Sequence, residues 1–535
     1  MHVAGAVADY LGRAGIRRVY GVPGEDHLRL LDALAAAGLR YVGARDESAA
    51  CVMAMAEAQA TGRPGVAIVT LAPGLTNAIN GIAAAALDHV PLLVISGQHA
   101  PDRQPLIVRQ GLDNAALVAG VTKWRAVAGA RINQLLAKAL DTALAPPAGP
   151  VYLEVRDDVA RSEAVDRAHD WPLLVRSGAA AAVATVRGDL QAVVAEAERP
   201  AIIVGARAAD LGTAEAVQRL AAALHAPVFT SPAAKGVCTL ECPWFAGTFL
   251  NGNPEAAVLD RCDLILAVGL DALDIFNAPW RYAARVLGVE PDATNAQHFL
   301  PVQEQIVGEV PAVLDGLRAG GRSSSSIWTV DEVTNYRARL DGLFALDDTR
   351  LSIPAALADA RAILPPETLV TVDAGFGKPL AAYLWPACAP QTYFTAHGLS
   401  TMGYAIPAAN AVQLVHPERP VLGLMGDGSL LMRASEIGVA AALGIAPIYV
   451  VWVDAALTQI EIKQRRQGLQ PVGATFPAPC CAKIADAFGG QGWDVETRAD
   501  FRAALHAARE AHQPALIGAR VDQAQREAWF DQLRG

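Results

Sequence analysis

Cysteine is scarce in this 535-residue chain: seven in all, an odd number, irregularly spaced, with Cys238 and Cys242 four apart and Cys480 and Cys481 adjacent. That usage argues against a disulfide framework and a zinc-ligand pattern, and it predicts reduced, mostly buried thiols. Charge is thin as well, at 18% of residues against 53% hydrophobic. Disordered chains have the reverse balance, so this one is expected to fold throughout. Lys plus Arg number 44 and Asp plus Glu 54, for a net charge of −10, and no basic run is present. Without such a run nothing meets a phosphate backbone, and no nucleic-acid partner is expected. Uninterrupted apolar runs are missing too. The richest stretch, 66–95, is cut by Pro73, Asn77, Asn80, Asp88 and Pro91, so no segment offers the ~20 apolar residues that a membrane span needs. The first residues form neither a basic region nor a continuous apolar one, as a secretory signal would. A cytoplasmic protein with no membrane partner is the expectation.

Against a prior of ~150 residues per domain, the length predicts three or four domains. Three segments alternate helical stretches with short apolar strands, the pattern of parallel sheets covered by helices. The expected fold class is therefore α/β, with three doubly wound parallel-sheet domains at 1–165, 185–320 and 345–535. Strands are expected at 18–21, 41–43, 66–70, 92–96 and 151–154, then 201–205, 227–230 and 264–268, then 369–372, 421–425, 448–453 and 515–519. A charged, Trp-containing stretch at 156–172 and the run Gly320-Gly321-Arg322 with the serines 323–326 read as linkers. The first and third segments share a rhythm of strands and helices.

Chemistry concentrates at the end of the strand 421–425, which runs into Gly426-Asp427-Gly428-Ser429 and then a helical pattern over 431–443. A strand end, a glycine turn and a helix start supply amides for a phosphate and a carboxylate for a metal. The strand 448–453 ends at Asp454, 27 residues after Asp427. Neighbouring parallel strands would bring both carboxylates to one edge, a hard-oxygen set of the kind Mg2+ prefers beside a diphosphate. An NAD-type Gly-x-Gly-x-x-Gly turn with an acidic residue ~20 positions on is absent.

At these residues the sequence resembles the thiamine-diphosphate-dependent 2-oxo acid enzymes, in particular the acetolactate-synthase-like group with its decarboxylase and benzaldehyde lyase relatives. The family's diphosphate motif runs from Gly-Asp-Gly to Asn-Asn or Asn-Asp. Here Val453 replaces the first Asn and Asp454 stands at the ligand position. The resemblance implies Asp427, Asp454 and the Ala456 carbonyl as Mg2+ ligands, with Gly426, Gly428, Ser429 and Leu457 along the cofactor. Arg45-Asp46-Glu47-Ser48 after a strand resembles the segment carrying the family's catalytic glutamate, which makes Glu47 the partner of the aminopyrimidine N1′. Leu71 to Asn77 is similar to a Gly-Pro-Gly-x-x-Asn turn, adding Gly74 and Asn77, and Pro23 belongs to the same face. Gly398 to Tyr404 resembles the stretch whose large apolar residue, here Met402, wedges between the cofactor's rings. Ser400 stands where the family usually has glycine and offers a carbonyl to the 4′-amino group. Asp373-Ala374-Gly375-Phe376-Gly377 takes the place of a second diphosphate loop.

The resemblance implies pyrimidine-binding, central Rossmann-like and diphosphate-binding domains in that order. It also implies a homodimer or dimer of dimers with cofactor between subunits, and a small-molecule 2-oxo acid or 2-hydroxyketone as substrate. The implied reaction is decarboxylation followed by joining of the activated fragment to a second carbonyl, with aldehyde-releasing decarboxylation or benzaldehyde-lyase-like cleavage of a 2-hydroxyketone as the alternatives. Aldehyde-releasing decarboxylases carry a His-His pair and a Glu where this chain has only His99 and Ile460. Gln110 is the leading substrate-side residue, followed by Glu25, Asp26 and His27. The central domain keeps a shortened turn at Gly205 and lacks the family's Met-x-Gly-x-His-Gly stretch, so no FAD is expected.

Overall fold

A computed structural model describes the chain except for residues 104, 105, 107, 173–185, 276–278, 295–298, 319–322, 345–349 and 535. The expected boundaries at 185, 320, 345 and 535 and the Gly320–Arg322 linker lie outside the described residues. The first sheet comprises β1 (Arg18–Gly21), β2 (Arg40–Gly43), β3 (Gly65–Val69), β4 (Leu92–Ser96), β5 (Trp124–Val127) and β6 (Pro150–Glu154). The second comprises β7 (Pro200–Val204), β8 (Val228–Thr230), β9 (Phe245–Thr248), β10 (Leu264–Val268), β11 (Arg285–Glu290) and β12 (Val302–Val307). The third comprises β13 (Leu369–Val372), β14 (Tyr393–Thr395), β15 (Val421–Gly426), β16 (Ile448–Val453), β17 (Gln491–Val495) and β18 (Ala515–Arg520).

Every strand pair in the three sheets is parallel. The first sheet has the order β2-β1-β3-β4-β6-β5 and the third β14-β13-β15-β16-β18-β17, one topology used twice. The second runs β12-β11-β10-β7-β8-β9, the dinucleotide-fold order. A parallel sheet needs helices on both faces, so its inner strands are apolar on both sides. Gly65–Val69, Leu92–Ser96, Leu264–Val268 and Ile448–Val453 are buried at every residue.

The strands without a sequence expectation, β5, β9, β11, β12, β14 and β17, are five of the six edges and one edge neighbour. Three of these edges, β5, β12 and β17, alternate or are largely exposed, which weakens their apolar signal. The helix expected over 431–443 is broken in two: Asp427–Arg433 and Ile437–Leu443 flank a tight turn at Ala434–Glu436. The seven cysteines form no disulfide.

The first and third domains share one hydrophobic core. Its centre is the helix Glu47–Thr61, whose alanines pack on all sides against Pro73–Leu87 and Ala405–Val415. Small side chains let helix backbones approach closely. A Cβ on Gly81 would lie 2.5 Å from the Cys51 Cβ and 2.7 Å from the Ser48 carbonyl oxygen. Gly81→Val is therefore expected to destabilise the chain by ~1–3 kcal/mol through overpacking, read from the urea midpoint. An unchanged midpoint would contradict this close approach.

Candidate active site

Parallel strands bring their carboxyl ends to one edge, and three neighbours in the third sheet each lead into an aspartate. Asp373 follows β13, Asp427 follows Gly426 of β15, and Asp454 follows β16. The Asp427 carboxylate accepts N–H bonds from Asp454 at 3.1 Å, Ala455 at 2.7 Å and Gly428 at 2.9 Å. Asp454 accepts from the Ala456 amide at 3.3 Å and from the Thr458 hydroxyl. Burial, then repulsion from Asp454, pushes the Asp427 carboxyl up to about 6. Burial raises Asp454 as well.

Gly428 fills a crowded position. A Cβ there would lie 2.8 Å from the Leu457 Cδ2, 3.2 Å from the Met402 Cε and 3.7 Å from the Phe476 ring. Met402, Leu457 and Gly428 are thus brought together beside the aspartate pair. Asp373 organises the neighbouring turn, accepting from the Gly403 and Ala405 amides at 3.0 and 2.9 Å and from the Ser429 hydroxyl at 2.9 Å. The loop from β13 requires Gly375, at φ +121°, and Gly377, whose Cβ would meet the Trp452 indole nitrogen at 2.6 Å. Phe376 immediately precedes the helix Gly377–Leu384 that follows this loop.

The carboxyl edge of the first sheet carries the other candidates. Asp46 caps the helix Glu47–Thr61 by accepting from the Ala49 amide at 3.0 Å, which leaves the Glu47 carboxylate free of the capping role. Glu47 is buried, and its Oε2 accepts from the Asn77 amide nitrogen at 3.1 Å. A Cβ on Gly74 would stand 3.0 Å from Glu47 Oε1. Glu47, Gly74 and Asn77 therefore form one cluster. Pro23 is exposed at the end of the turn after β1.

The substrate-side candidates divide. Asp26 is tied to the Thr70 hydroxyl and to the Leu71 amide at 3.1 Å, and its oxygen fills the place a Cβ on Gly97 would take. Burial opposes its ionisation, but hydrogen bonds from His27, Thr70 and Leu71 outweigh that and hold it below its usual range. His27 is buried and accepts from the Gly24 amide at 2.9 Å, while Glu25 is exposed. Asp26 and His27 therefore brace the β1 turn. Gln110, at φ +60°, lies on a strap pinned by Gln98 to the Leu112 carbonyl at 3.1 Å and by a 3.1 Å bond between the His99 ring and the Arg109 carbonyl.

Sequence reading missed four groups: the bracing role of Asp373, and Lys378, Asp88 and Glu436. The recurring Asp at the ends of β13, β15 and β16 could have singled out Asp373. The others give no local signal.

These features now meet what is known of other proteins. Residues 1–118 match the thiamine pyrophosphate enzyme N-terminal TPP binding domain, 189–317 its central domain and 373–519 its C-terminal TPP binding domain. The chain belongs to the thiamine pyrophosphate enzyme family. It is 30% identical over 498 residues to a probable 2-ketoarginine decarboxylase of Pseudomonas aeruginosa, covering 90% of this chain and 88% of that one. It is 27% identical over 544 residues to a catabolic acetolactate synthase of Raoultella terrigena, covering 97% and 95%. Its fold is that of a Rhodococcus jostii thiamine diphosphate-dependent 4-hydroxybenzoylformate decarboxylase, with TM-score 0.83, 24% identity and coverage of 98% and 99%. Among the described residues, no helix is long and apolar enough to cross a membrane.

The two sheet edges are joined by a buried carboxylate. Glu436 Oε1 accepts the Arg45 amide at 2.9 Å, and Arg433 reaches Asp46 at 3.3 Å. Burial, and then the negative charge of Asp46, push the Glu436 carboxyl from 4.5 up to about 7. Between those values the native chain keeps a proton that the unfolded chain has released, so stability falls as pH rises through this window and the cost is complete above about 7. Glu436→Gln is expected to leave stability near pH 4.5 little changed and to raise it at pH 8 by roughly 2–4 kcal/mol. Denaturant midpoints across that range check it, and parallel pH profiles for the two proteins would contradict it.

Proposed function

We propose that the chain is a thiamine-diphosphate- and Mg2+-dependent enzyme that decarboxylates a 2-oxo acid and joins the resulting fragment to a second carbonyl. The observation that carries this reading is an apolar wall of Met402, Leu457 and Phe476 converging on Gly428, against the Asp427 and Asp454 carboxylates. Two carboxylates that burial penalises make a hard-oxygen set suited to a divalent cation. Among the described residues no group of three or more His, Cys, Asp or Glu could hold a metal. Asp427, Asp454 and the Ala456 carbonyl would thus share Mg2+ with diphosphate oxygens. Amides of Gly426, Gly428 and the Gly375–Gly377 loop, with Ser429, would meet that diphosphate.

Thiamine diphosphate, when bound, supplies a carbon nucleophile and a sink for the electrons left by departing CO2. Glu47 would hold the proton at N1′, steadied by Asn77. Met402 would enforce the bent cofactor, and the Ser400 carbonyl would accept from its amino group. Gln110 would face the substrate. The remaining question is which group could protonate the fragment. Glu461 is committed to Arg465 at 2.8 Å and Arg526 at 3.0 Å, Asp26 is braced by Thr70, and Ile460 is apolar. With these groups held, exposed Glu25 is the substrate-side acid left to compete, and the pairing of the others favours attack on a second carbonyl over release of an aldehyde. Identity to a probable 2-ketoarginine decarboxylase supports a second reading, aldehyde-releasing decarboxylation.

Exposed apolar side chains, among them Leu106, Val108, Leu431, Met432, Ile460 and Val472, support a homodimer or dimer of dimers that buries them, and the proposed location is the cytoplasm. The domains would be 1–165, 185–320 and 345–535. Absence of FAD is supported by Asp274, whose carboxylate already accepts the Ala206 amide at 2.9 Å where a dinucleotide phosphate would sit.

The deciding experiment offers thiamine diphosphate, Mg2+ and a panel of 2-oxo acids, alone and with carbonyl acceptors, and follows CO2 and carbon products together. CO2 with a hydroxyketone or acetohydroxy acid supports carboligation; CO2 with free aldehyde supports the second reading. Cleavage of a supplied hydroxyketone without CO2 would replace both with a lyase. Glu47→Gln is expected to bind cofactor yet lose ~10²–10⁴-fold in kcat, and full turnover would refute its role. Asp427→Ala is expected to abolish the joint binding of Mg2+ and diphosphate, measured by calorimetry.

A further inference from the structure

The segment 396–404, which carries Ser400 and Met402, is irregular, and its shape is imposed from outside. Asp373 holds one end through the Gly403 and Ala405 amides. Asp88, which ends the first-domain helix Pro73–Leu87, holds the other by accepting from His397 at 2.9 Å and Gly398 at 2.5 Å. The Thr401 hydroxyl donates to Asn80 at 2.7 Å. Between these anchors, Lys378 of the helix Gly377–Leu384 sends its Nζ to the Ala396 carbonyl at 2.6 Å and the Ser400 hydroxyl at 3.2 Å.

Two features make Lys378 more than a packing residue. It is 7% exposed, and burial lowers its ammonium to about 8, while Asp88 and Asp373, the carboxylates bracing the two ends of the segment, pull it back up. Its other oxygen partner, Ser400, stands at φ +51°, in the left-handed region that side-chain-bearing residues seldom adopt. Glycine would take that conformation freely. A serine there needs an external hold, and the ammonium supplies one.

We propose that Lys378 is a positioning residue: it fixes Ser400 in the left-handed conformation and thereby aims the Ser400 carbonyl at the 4′-amino group of bound thiamine diphosphate. This rests on the role given to Ser400 above.

The test is the rate at which the cofactor's C2 proton exchanges with deuterium on the enzyme, read by NMR after acid quench without substrate, with cofactor affinity measured separately by tryptophan fluorescence. Lys378→Met is expected to slow exchange by ~10- to 100-fold in the cofactor that remains bound. Lys378→Gln, which keeps a donor for both oxygens, should stay within ~3-fold of the parent. Ser400→Ala removes the tether without stranding a charge and is expected to slow exchange by ~3- to 10-fold. Combined with Lys378→Met, it should add nothing, because one interaction is lost only once.

A merely structural lysine would lower the melting temperature or cofactor affinity and leave exchange intact. Unaltered exchange in Ser400→Ala overturns the proposal, even where Lys378→Met fails to fold. Lys378→Gln as slow as Lys378→Met overturns it too, by assigning the effect to charge. A parent chain that bound no cofactor would overturn the functional reading itself, whereas normal exchange in the parent with indifferent variants overturns this proposal alone.

Discussion

Three like charges on adjacent strand ends are the constraint on which the site is built. Parallel pairing of β13, β15 and β16 forces Asp373, Asp427 and Asp454 to one edge, and burial penalises each. The chain resolves the conflict unequally. Asp373, pushed up to about 6 by burial, is surrounded by the Gly403 and Ala405 amides and the Ser429 hydroxyl, so it serves as a bracket for backbone. Asp427 also accepts three amide N–H bonds, but the neighbouring Asp454 adds repulsion that raises its carboxyl further. A bound cation, as in the proposed function, would neutralise that pair. The same edge therefore separates a carboxylate that braces backbone from the two assigned to Mg2+ in the proposed function.

The bracket matters because the segment it holds has no regular hydrogen bonding of its own. Asp373 and Lys378 act from the third domain, Asp88 and Asn80 from the first. Conformational freedom at Met402 and Ser400 is thus removed by groups that belong to two sheets. The alanine helix Glu47–Thr61 makes this possible, since its close packing on Pro73–Leu87 and Ala405–Val415 fixes one sheet edge relative to the other. A bulkier helix there would separate Asp88 from the amides it accepts.

How far the sequence could be read follows from where each signal resides. Inner strands such as Leu264–Val268 and Ile448–Val453 are continuous apolar runs and stand out. β5, β12 and β17 pack one face at most, so Trp124–Val127 and Gln491–Val495 look like loop or helix by composition. Gly426 to Ser429 and Arg45 to Ser48 are legible because their chemistry is contiguous in the chain. Lys378 and Asp88 are 290 positions apart in sequence and meet only through folding, so nothing local marks them. Asp26 and His27 show another limit: a polar pair at a helix start reads as functional, and only the fold reveals their hydrogen bonds to Thr70, Leu71 and Gly24.

In the proposed reaction, proton supply separates release of an aldehyde from attack on a second carbonyl. An acid that quenches a carbon nucleophile has to be within reach and unpaired. In this chain Glu461 is locked in a fork with Arg465 and Arg526, and the residue facing the other side of that helix turn is Ile460. The His99 ring is engaged with the Arg109 carbonyl. Each would have to break an existing interaction to donate, a cost that a carbonyl acceptor does not incur. The apolar wall of Met402, Leu457 and Phe476 supports the same proposal, because apolar side chains have no proton to give. Acid placement and wall chemistry are thus the two features on which the proposed bond formation between carbons rests.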